Sequence, residues 1–489
     1  LVGSADLFPG ELMVKESGFS PKFSNLVDIY EQSIERFAAE PLFGTKRGGA
    51  WRGMTYREFG KQTDEIRGGL AALGVGSDDV VAMIANNRPE WAVAAYATYG
   101  LSARYAPMYE SQFPEDWEYI LRDSGAKVVF VATDAIRVSI ESFRDRLDEL
   151  EHVVVLGDSD DAKLTYSDLR AKGRGNPTGL THPRGDHIAG FIYTSGTTGK
   201  PKGVLLSHAN LASNVSAMQA VFPMDKTDRS LSFLPWAHSF GQTVELHALF
   251  SMGASLGIAE SVPKIVENLA EVQPTLLFSV PRIFNKIHEG VLKKVEQGGG
   301  IQKKLFYAAL STAKQKKDLA EHKRASGFVD WKHKILDGLV ASKIRKRFGG
   351  RLKYAFSGGA AIRTEVAEFI DALGILVYEL LTLRRLFPVW DVNEMRAVFE
   401  AGPIPLPSTI ARHVAKDVDA VIMKALTQDI EQRFQNAGDF EEELRTVIAR
   451  SGTAVTASGL AREVKAIADA PGAAAPRSAP PVVDSSAGG

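Results

Sequence analysis

The chain has 489 residues, enough for roughly two to four domains, and its 58 Lys or Arg nearly balance 59 Asp or Glu, for a net charge of −1. That balance asks for no nucleic-acid partner, and the absence of cysteine excludes disulfides, thiolate catalysis and Cys-ligated zinc. No uncharged apolar run is long enough to span a bilayer, and the N-terminus, which opens on Leu1, lacks a charged segment followed by an apolar one; neither a spanning helix nor a signal peptide is expected, and a cytoplasmic setting fits.

Residues 1–372 alternate helix-like and strand-like segments. Thr55 and Glu58 read as a capping box, and Phe59, Ile66, Leu70 and Leu73 form one face of the helix that follows, with Gly74 as its stop. Residues 80–85 read as a buried strand, and Pro89, after Asn86 and Asn87, opens another helix. Residues 127–131, 152–156, 188–193, 276–280 and 352–356 are further short strands. Such alternation predicts an α/β domain of mostly parallel sheets covered by helices. Residues 293–354 are basic, with Lys343, Arg345, Lys346 and Arg347 clustered at one helix end. The cluster reads either as a solvated helix terminus or as peripheral contact with an anionic membrane surface. From Gly374 the pattern becomes all-helical: Val418, Val421, Ile422, Ala425 and Leu426 form one stripe, and Phe440, Leu444, Val447 and Ile448 another. Residues 451–489 turn small and polar and read as a flexible Ala/Pro/Ser-rich tail. The expected domains are thus 1–372, 373–450 and 451–489.

The sharpest chemical signal follows the strand at 188–193. It reads Tyr193-Thr194-Ser195-Gly196-Thr197-Thr198-Gly199-Lys200-Pro201-Lys202-Gly203. Four hydroxyls lie within five positions. Gly196, Gly199 and Gly203 let the backbone turn so that N–H groups converge on an anion. Lys200 and Lys202 add two cations, and Pro201 stiffens the segment between them. The pattern is a polyphosphate clamp. It is not a Walker A loop, because Thr194 and Pro201 stand where that loop requires Gly and Ser or Thr. The alternative is a solvated Ser/Thr/Gly turn, which seldom combines hydroxyls, glycines and two lysines between apolar runs.

Residues 193–207 resemble the signature of the adenylate-forming superfamily, which holds acyl-CoA synthetases, adenylation domains and luciferases. The resemblance extends to Asn87-Arg88-Pro89-Glu90-Trp91, Leu234-Pro235-Trp236-Ala237-His238 and Ser357-Gly358-Gly359-Ala360. Val280-Pro281-Arg282-Ile283-Phe284 is similar to the long-chain fatty-acyl subgroup. Together these span residues 25–372. The resemblance implies an AMP-forming fatty-acid–CoA ligase: a carboxylate attacks the α-phosphate of ATP held with Mg2+, and CoA then displaces AMP. By the match, Thr194, Ser195, Gly196, Thr197, Thr198, Gly199, Lys200 and Lys202 hold the β- and γ-phosphates. Gly358, Gly359 and Ala360 lie against adenine, and Trp236 and His238 flank the acyl chain or α-phosphate. His238 also reads as an ordinary core histidine, and Gly358 and Gly359 as an ordinary strand-ending turn. No metal ligand is identifiable.

The family normally continues into a Tyr-Gly-Leu-Thr-Glu segment, where this chain reads Val377-Tyr378-Glu379-Leu380-Leu381-Thr382. The ribose-binding Asp, the hinge and the C-terminal lysine motif are not found either, and Lys416 and Lys424 sit on unrelated helical patterns. The expectation is a truncated ligase with turnover reduced roughly 10²-fold or more for each missing charge-stabilising group. Instead, Leu373-Gly374-Ile375-Leu376-Val377-Tyr378-Glu379-Leu380-Leu381-Thr382, Ala425-Leu426-Thr427-Gln428-Asp429 and Arg433-Phe434 resemble the late helices of a bacterial Ser/Thr kinase C-lobe, over residues 373–448. None of the kinase nucleotide, metal or base motifs is present, so this piece is not a functional kinase. The reading is a chimera joined near Ala372 to Ile375, with Arg433 expected to face solvent or find a new carboxylate. The competing readings are a non-catalytic nucleotide or acyl binder and a kinase-derived interaction module.

Overall fold

The computed structural model describes residues 21–157, 159–195, 200–222, 224–321, 326–358, 362–373, 376–379 and 416–425, together with positions 432, 443 and 446. These fall into two compact units, one covering residues 21–384 and the other lying beyond 385.

Among the described residues the first unit has thirteen strands. They are β1 (Pro41–Arg47), β2 (Ala50–Thr55), β3 (Val80–Ile84), β4 (Arg104–Met108), β5 (Ala126–Val131), β6 (His152–Val155), β7 (Ile188–Ser195), β8 (Pro201–Ser207), β9 (Arg229–Ser232), β10 (Ser255–Ile258), β11 (Leu276–Ser279), β12 (Tyr354–Ser357) and β13 (Leu376–Glu379). They form a six-stranded sheet in the order β6-β5-β3-β4-β7-β8, a four-stranded sheet β2-β1-β10-β9 and a three-stranded sheet β11-β12-β13. Pairing is parallel except at two hairpins, β1–β2 and β7–β8. The sheets are therefore mixed rather than uniformly parallel. The first hairpin turns on Gly48 and Gly49, at φ of 57° and 79°, the geometry that a two-residue turn between twisted strands requires.

Local chemistry places the helices. Thr55 Oγ1 accepts from the Glu58 N–H at 3.2 Å while the Glu58 carboxylate accepts from the Thr55 N–H at 2.8 Å, so the capping box forms as the sequence predicts. The helix Tyr56–Ala72 then buries Phe59, Ile66 and Leu70, and Gly74, at φ 80°, follows its end. Pro89 occupies the first position of the helix Pro89–Tyr99, which is buried along nearly its whole surface. Its Trp91 ring meets Tyr105 of β4 at 5.0 Å and Trp236 at 5.6 Å, and Trp236 meets Phe43 of β1 at 5.7 Å. A chain of aromatic contacts thus runs from the six-stranded sheet to the four-stranded one.

The reading of an all-helical segment from Gly374 is corrected at β13. Leu376 to Glu379 pair in parallel with β12, Tyr354 opposite Leu376 and Ser357 opposite Glu379. A short apolar run is ambiguous between helix and strand by pattern alone, and the ladder groups of β12 decide it. The first unit therefore runs past the expected junction at residue 372. In the second unit the helix Lys416–Ala425 forms as its stripe predicts, with Val421 buried. Phe440, Leu444, Val447, Arg433 and the tail at 451–489 lie outside the described residues. Among the described residues no helix is long and apolar enough to cross a membrane.

The cluster at 343–347 is split by the fold. Arg345 turns inward, its two guanidinium nitrogens each 2.6 Å from a carboxylate oxygen of Asp337, and it also donates to the Leu373 carbonyl. Lys343, Lys346 and Arg347 stay exposed.

The helix Tyr166–Arg174 packs on Tyr56–Ala72 through glycine. A Cβ built on Gly173 would lie 1.6 Å from the Glu65 carbonyl oxygen, so the two backbones must separate to admit one. Gly173→Ala is expected to destabilise the first unit by about 3 kcal/mol, at the upper end of overpacking effects. Urea unfolding followed by tryptophan fluorescence checks this, and an unchanged midpoint would mean the helices do not approach so closely.

Candidate active site

The carboxyl ends of β3 and β9 are joined by one side chain. Asn87, three residues past β3, accepts from the Trp236 N–H at 2.9 Å and donates to the Leu234 carbonyl at 2.7 Å and to Ser232 Oγ at 3.2 Å. The Ser232 hydroxyl donates to Glu245 Oε2 at 2.6 Å, and the Trp236 indole N–H donates to the same oxygen at 3.3 Å. The loop from Leu234 to His238 is therefore tied at backbone and side chain before it reaches the surface.

Glu245 lies in the π-helix Gly241–His247, wholly buried. Burial pushes its carboxyl up to about 8 against the pull of the Ser232 and Trp236 hydrogen bonds, so it is neutral at pH 7. Its Oε1 has no partner among the described residues. Two neighbouring histidines are neutral for the same reason. His247, bonded to Tyr96 Oη at 2.8 Å, and His208, which accepts from the Leu26 N–H at 3.3 Å, are both driven down to about 3, chiefly by burial.

The structure separates the two residues of the aromatic/His motif. Trp236 is fully buried among Phe43 and Trp91, so it supports the loop rather than lining an open site. His238 is exposed, which overturns its reading as a core histidine. Its Nδ1 accepts from the Phe240 N–H at 3.2 Å, leaving Nε2 toward solvent. Phe240 in turn lies over Gly358: a Cβ there would come within 2.4 Å of its ring. Gly358, just past β12, donates its N–H to the Ser279 carbonyl at the end of β11. His238 and Gly358 are thus brought to one corner, where the carboxyl ends of strands from three sheets meet. Crevices outside such strand ends are where open α/β folds bind ligands.

The phosphate-loop residues sit on the β7–β8 hairpin, in which Thr194 pairs with Lys202 and Ser195 with Pro201. Tyr193 Oη donates to Asp123 at 2.8 Å, and Lys200 Nζ rests 5.6 Å from the Tyr119 ring centroid; both anchors belong to the helix Pro114–Ser124. Gly196, Thr197, Thr198, Gly199, Gly359 and Ala360 lie outside the described residues. Asn87 and Glu245 were not singled out as site residues by sequence. The signal for Glu245 was available: a carboxylate set within the run Val244-Glu245-Leu246-His247-Ala248-Leu249-Phe250 has no water to face. Among the described residues no three His, Asp or Glu converge to hold a metal ion.

These buried groups set a pH profile. Between about 6.5 and 8 the folded chain keeps the Glu245 proton that the unfolded chain has released, so stability falls as pH rises. Below about 6.5 the unfolded chain protonates both histidines while the fold refuses, so stability falls as pH drops. From these three groups stability peaks near pH 6.5. Glu245→Gln presents one carbonyl oxygen to Ser232 and Trp236 and is expected to abolish the decline above that peak. Urea midpoints at pH 5.5, 6.5 and 8.5 for both proteins measure it, and identical profiles would exclude a buried neutral acid at 245.

The model of the family described as AMP-binding enzyme matches residues 30–381. The Arabidopsis thaliana protein "Long chain acyl-CoA synthetase 6, peroxisomal" is 31% identical over 367 residues, covering 72% of this chain and 51% of the relative. The Mycobacterium tuberculosis protein "Long-chain-fatty-acid--CoA ligase FadD15" is 30% identical over 336 residues, 68% of this chain and 56% of its own. The chain thus spans about half the length of the curated relatives it matches. Among solved structures, a long-chain-fatty-acid-CoA ligase (FadD1) from Archaeoglobus fulgidus superposes with a TM-score of 0.55 at 17% identity, over 74% of this chain and 64% of that one, a likeness of fold. The family match ends at residue 381, so residues 373–381, read above as kinase-like, fall within it. With that match over more than two thirds of its length, this chain belongs to the AMP-binding enzyme family.

Proposed function

We propose that the chain carries the nucleotide-facing part of an AMP-forming long-chain fatty-acid–CoA ligase. The observation that carries the reading is the β7–β8 hairpin. It holds hydroxyl and lysine side chains at the carboxyl end of β7, within a chain whose relatives at 30–31% identity bear long-chain acyl-CoA names. In the proposed reaction a fatty-acid carboxylate oxygen attacks the α-phosphorus of ATP and pyrophosphate leaves. The CoA sulfur then attacks the acyl carbon, AMP leaves, and the thiol proton passes to solvent. Thr194 to Lys202 neutralise the β- and γ-phosphates, the turn Gly358-Gly359-Ala360 receives the adenine, and His238 stands beside the α-phosphate. Trp236, being buried, positions His238 and does not touch the acyl chain. Catalysis here is positioning and charge neutralisation at phosphorus.

The run Val377-Tyr378-Glu379-Leu380-Leu381-Thr382, standing where the family's Tyr-Gly-Leu-Thr-Glu segment is expected, favours one second reading, a nucleotide binder without turnover. Residues 382–448 as a kinase-derived module rest on the sequence resemblance alone.

Pyrophosphate release with MgATP, CoA and fatty acids of graded chain length, beside ATP binding by calorimetry, separates the readings. Release with palmitate is the expected result for a ligase; binding without release selects the second reading; neither would sink both. Replacing Lys200 and Lys202 together by Ala is expected to weaken ATP binding about 100-fold, at roughly tenfold for each charge-assisted hydrogen bond lost. An unchanged affinity would remove the hairpin from the site.

A further inference from the structure

A cleft of about 530 Å3 lies where the chain enters β9 and β10, at the opposite ends of these strands from the candidate active site. Its floor is apolar: Phe37, Met224 and Met252 are buried there. Gly253 follows Met252 at φ 81°, and a Cβ on it would lie 2.6 Å from the Phe37 ring, so a bare backbone at 253 is what lets the ring seat. The two thioethers are pliable and accept bodies of varied shape. One wall is polar and already fixed. Gln219 donates to the Ser251 carbonyl at 3.0 Å and to its hydroxyl at 2.8 Å, and its own oxygen accepts from Lys22 Nζ at 2.9 Å.

Two cations share this edge without an acid. Arg36, the last residue of the helix Leu26–Arg36, lies over the Phe37 ring at 5.1 Å. Neither Arg36 nor Lys22 has an ion pair among the described residues. Burial and the charge of Arg36 hold the Lys22 ammonium below its ordinary range, so the two groups are close enough to repel. The acids of the cleft are engaged elsewhere. Glu40 takes Lys226 at 2.7 Å, and Asp225 Oδ1 accepts from the Thr227 hydroxyl at 2.6 Å and its N–H at 2.7 Å. Those bonds, with Lys353 and Lys226 nearby, hold the Asp225 carboxyl low. A cation at a helix carboxyl end accounts for Arg36 alone. It does not account for a second cation fastened beside it by an amide.

We propose that this cleft binds a small phosphate monoester whose organic body is apolar. The phosphate, close to a dianion at neutral pH, accepts from the Arg36 guanidinium and from the Lys22 ammonium and answers both charges, whereas a carboxylate answers one. The body lies on Phe37, Met224 and Met252, as an apolar floor with a few convergent polar groups allows. The inference stands apart from the nucleotide reading, since none of its residues belongs to the proposed active site and the two lie at opposite ends of β9 and β10.

Calorimetric titration of the full chain with phenyl phosphate tests it, with inorganic phosphate and benzoate as probes of its two halves. Phenyl phosphate is expected to bind about tenfold more tightly than either, since one lacks the ring and the other the second charge. Arg36→Gln and Lys22→Gln, both at exposed positions, are each expected to weaken it about tenfold and to leave ATP affinity unchanged. Lys200→Ala with Lys202→Ala, on the β7–β8 hairpin, should leave phenyl phosphate binding intact. Absence of binding at millimolar phenyl phosphate overturns the proposal, and so does an affinity that neither glutamine variant moves. Benzoate binding as tightly as phenyl phosphate would remove the dianion, and loss of binding in the hairpin variant alone would place the probe in the nucleotide site; either result overturns it as well.

Discussion

One amide side chain holds the corner on which the candidate site depends. Asn87 uses its oxygen and its nitrogen to fasten the loop after β9 to the end of β3, and so fixes one sheet against another. Amide–carbonyl contacts of this kind are each worth only about 1 kcal/mol net. Their consequence is geometric. With the loop tied at Leu234 and Trp236, the indole can go only inward, onto Phe43 and Trp91, and His238 can go only outward. Phe240 then reaches Gly358, which brings in the third sheet through β12. A side chain at position 358 would push this ring away and open the corner.

The interior around that corner is polar but uncharged. Glu245, His208 and His247 are all ionisable and all neutral near pH 7, because an unpaired charge at such depth is far more costly than a protonation change. A protonated Glu245 can sit in an aromatic core, whereas an ionised one would accept more strongly from Ser232 and Trp236 but carry a desolvated charge that burial opposes. The same low-dielectric interior that permits a neutral acid makes each hydrogen bond to it directional and firm. The loop is thus positioned by groups that carry no charge of their own near pH 7.

Much of this was legible in the sequence where chemistry is local. A capping box and a proline at a helix start declare themselves within a few residues, and each is found where it was read, while the described flanks of the phosphate-loop motif form the two arms of the β7–β8 hairpin. What depends on distant partners was not legible. The strand β13 resembles a helix until β12 offers its edge, and the strands of the β1–β2 hairpin, which turns at Gly48-Gly49, were not among those read from the sequence. Trp236 and His238 stand two residues apart in one motif, yet one is core and the other surface. Only the aromatic cluster contributed by Phe43 and Trp91, from distant parts of the chain, decides which. Arg345 likewise read as one member of a basic cluster until Asp337 turned it inward.

The resting position of Lys200 bears on how the proposed phosphate contact would be made. Its ammonium lies over Tyr119, an exposed cation–π arrangement worth about 0.5–1 kcal/mol. A charge-assisted hydrogen bond to phosphate is worth about 1.5–3 kcal/mol, so an arriving triphosphate outcompetes the ring. The hairpin itself need not move far, because Tyr193 remains fastened to Asp123 on the same helix that carries Tyr119. The helix Pro114–Ser124 therefore serves as both anchor and cradle. It fixes the base of the hairpin through one ring and holds the lysine over another, so that in the proposed contact Lys200 exchanges its ring for phosphate while Tyr193 stays tied to Asp123.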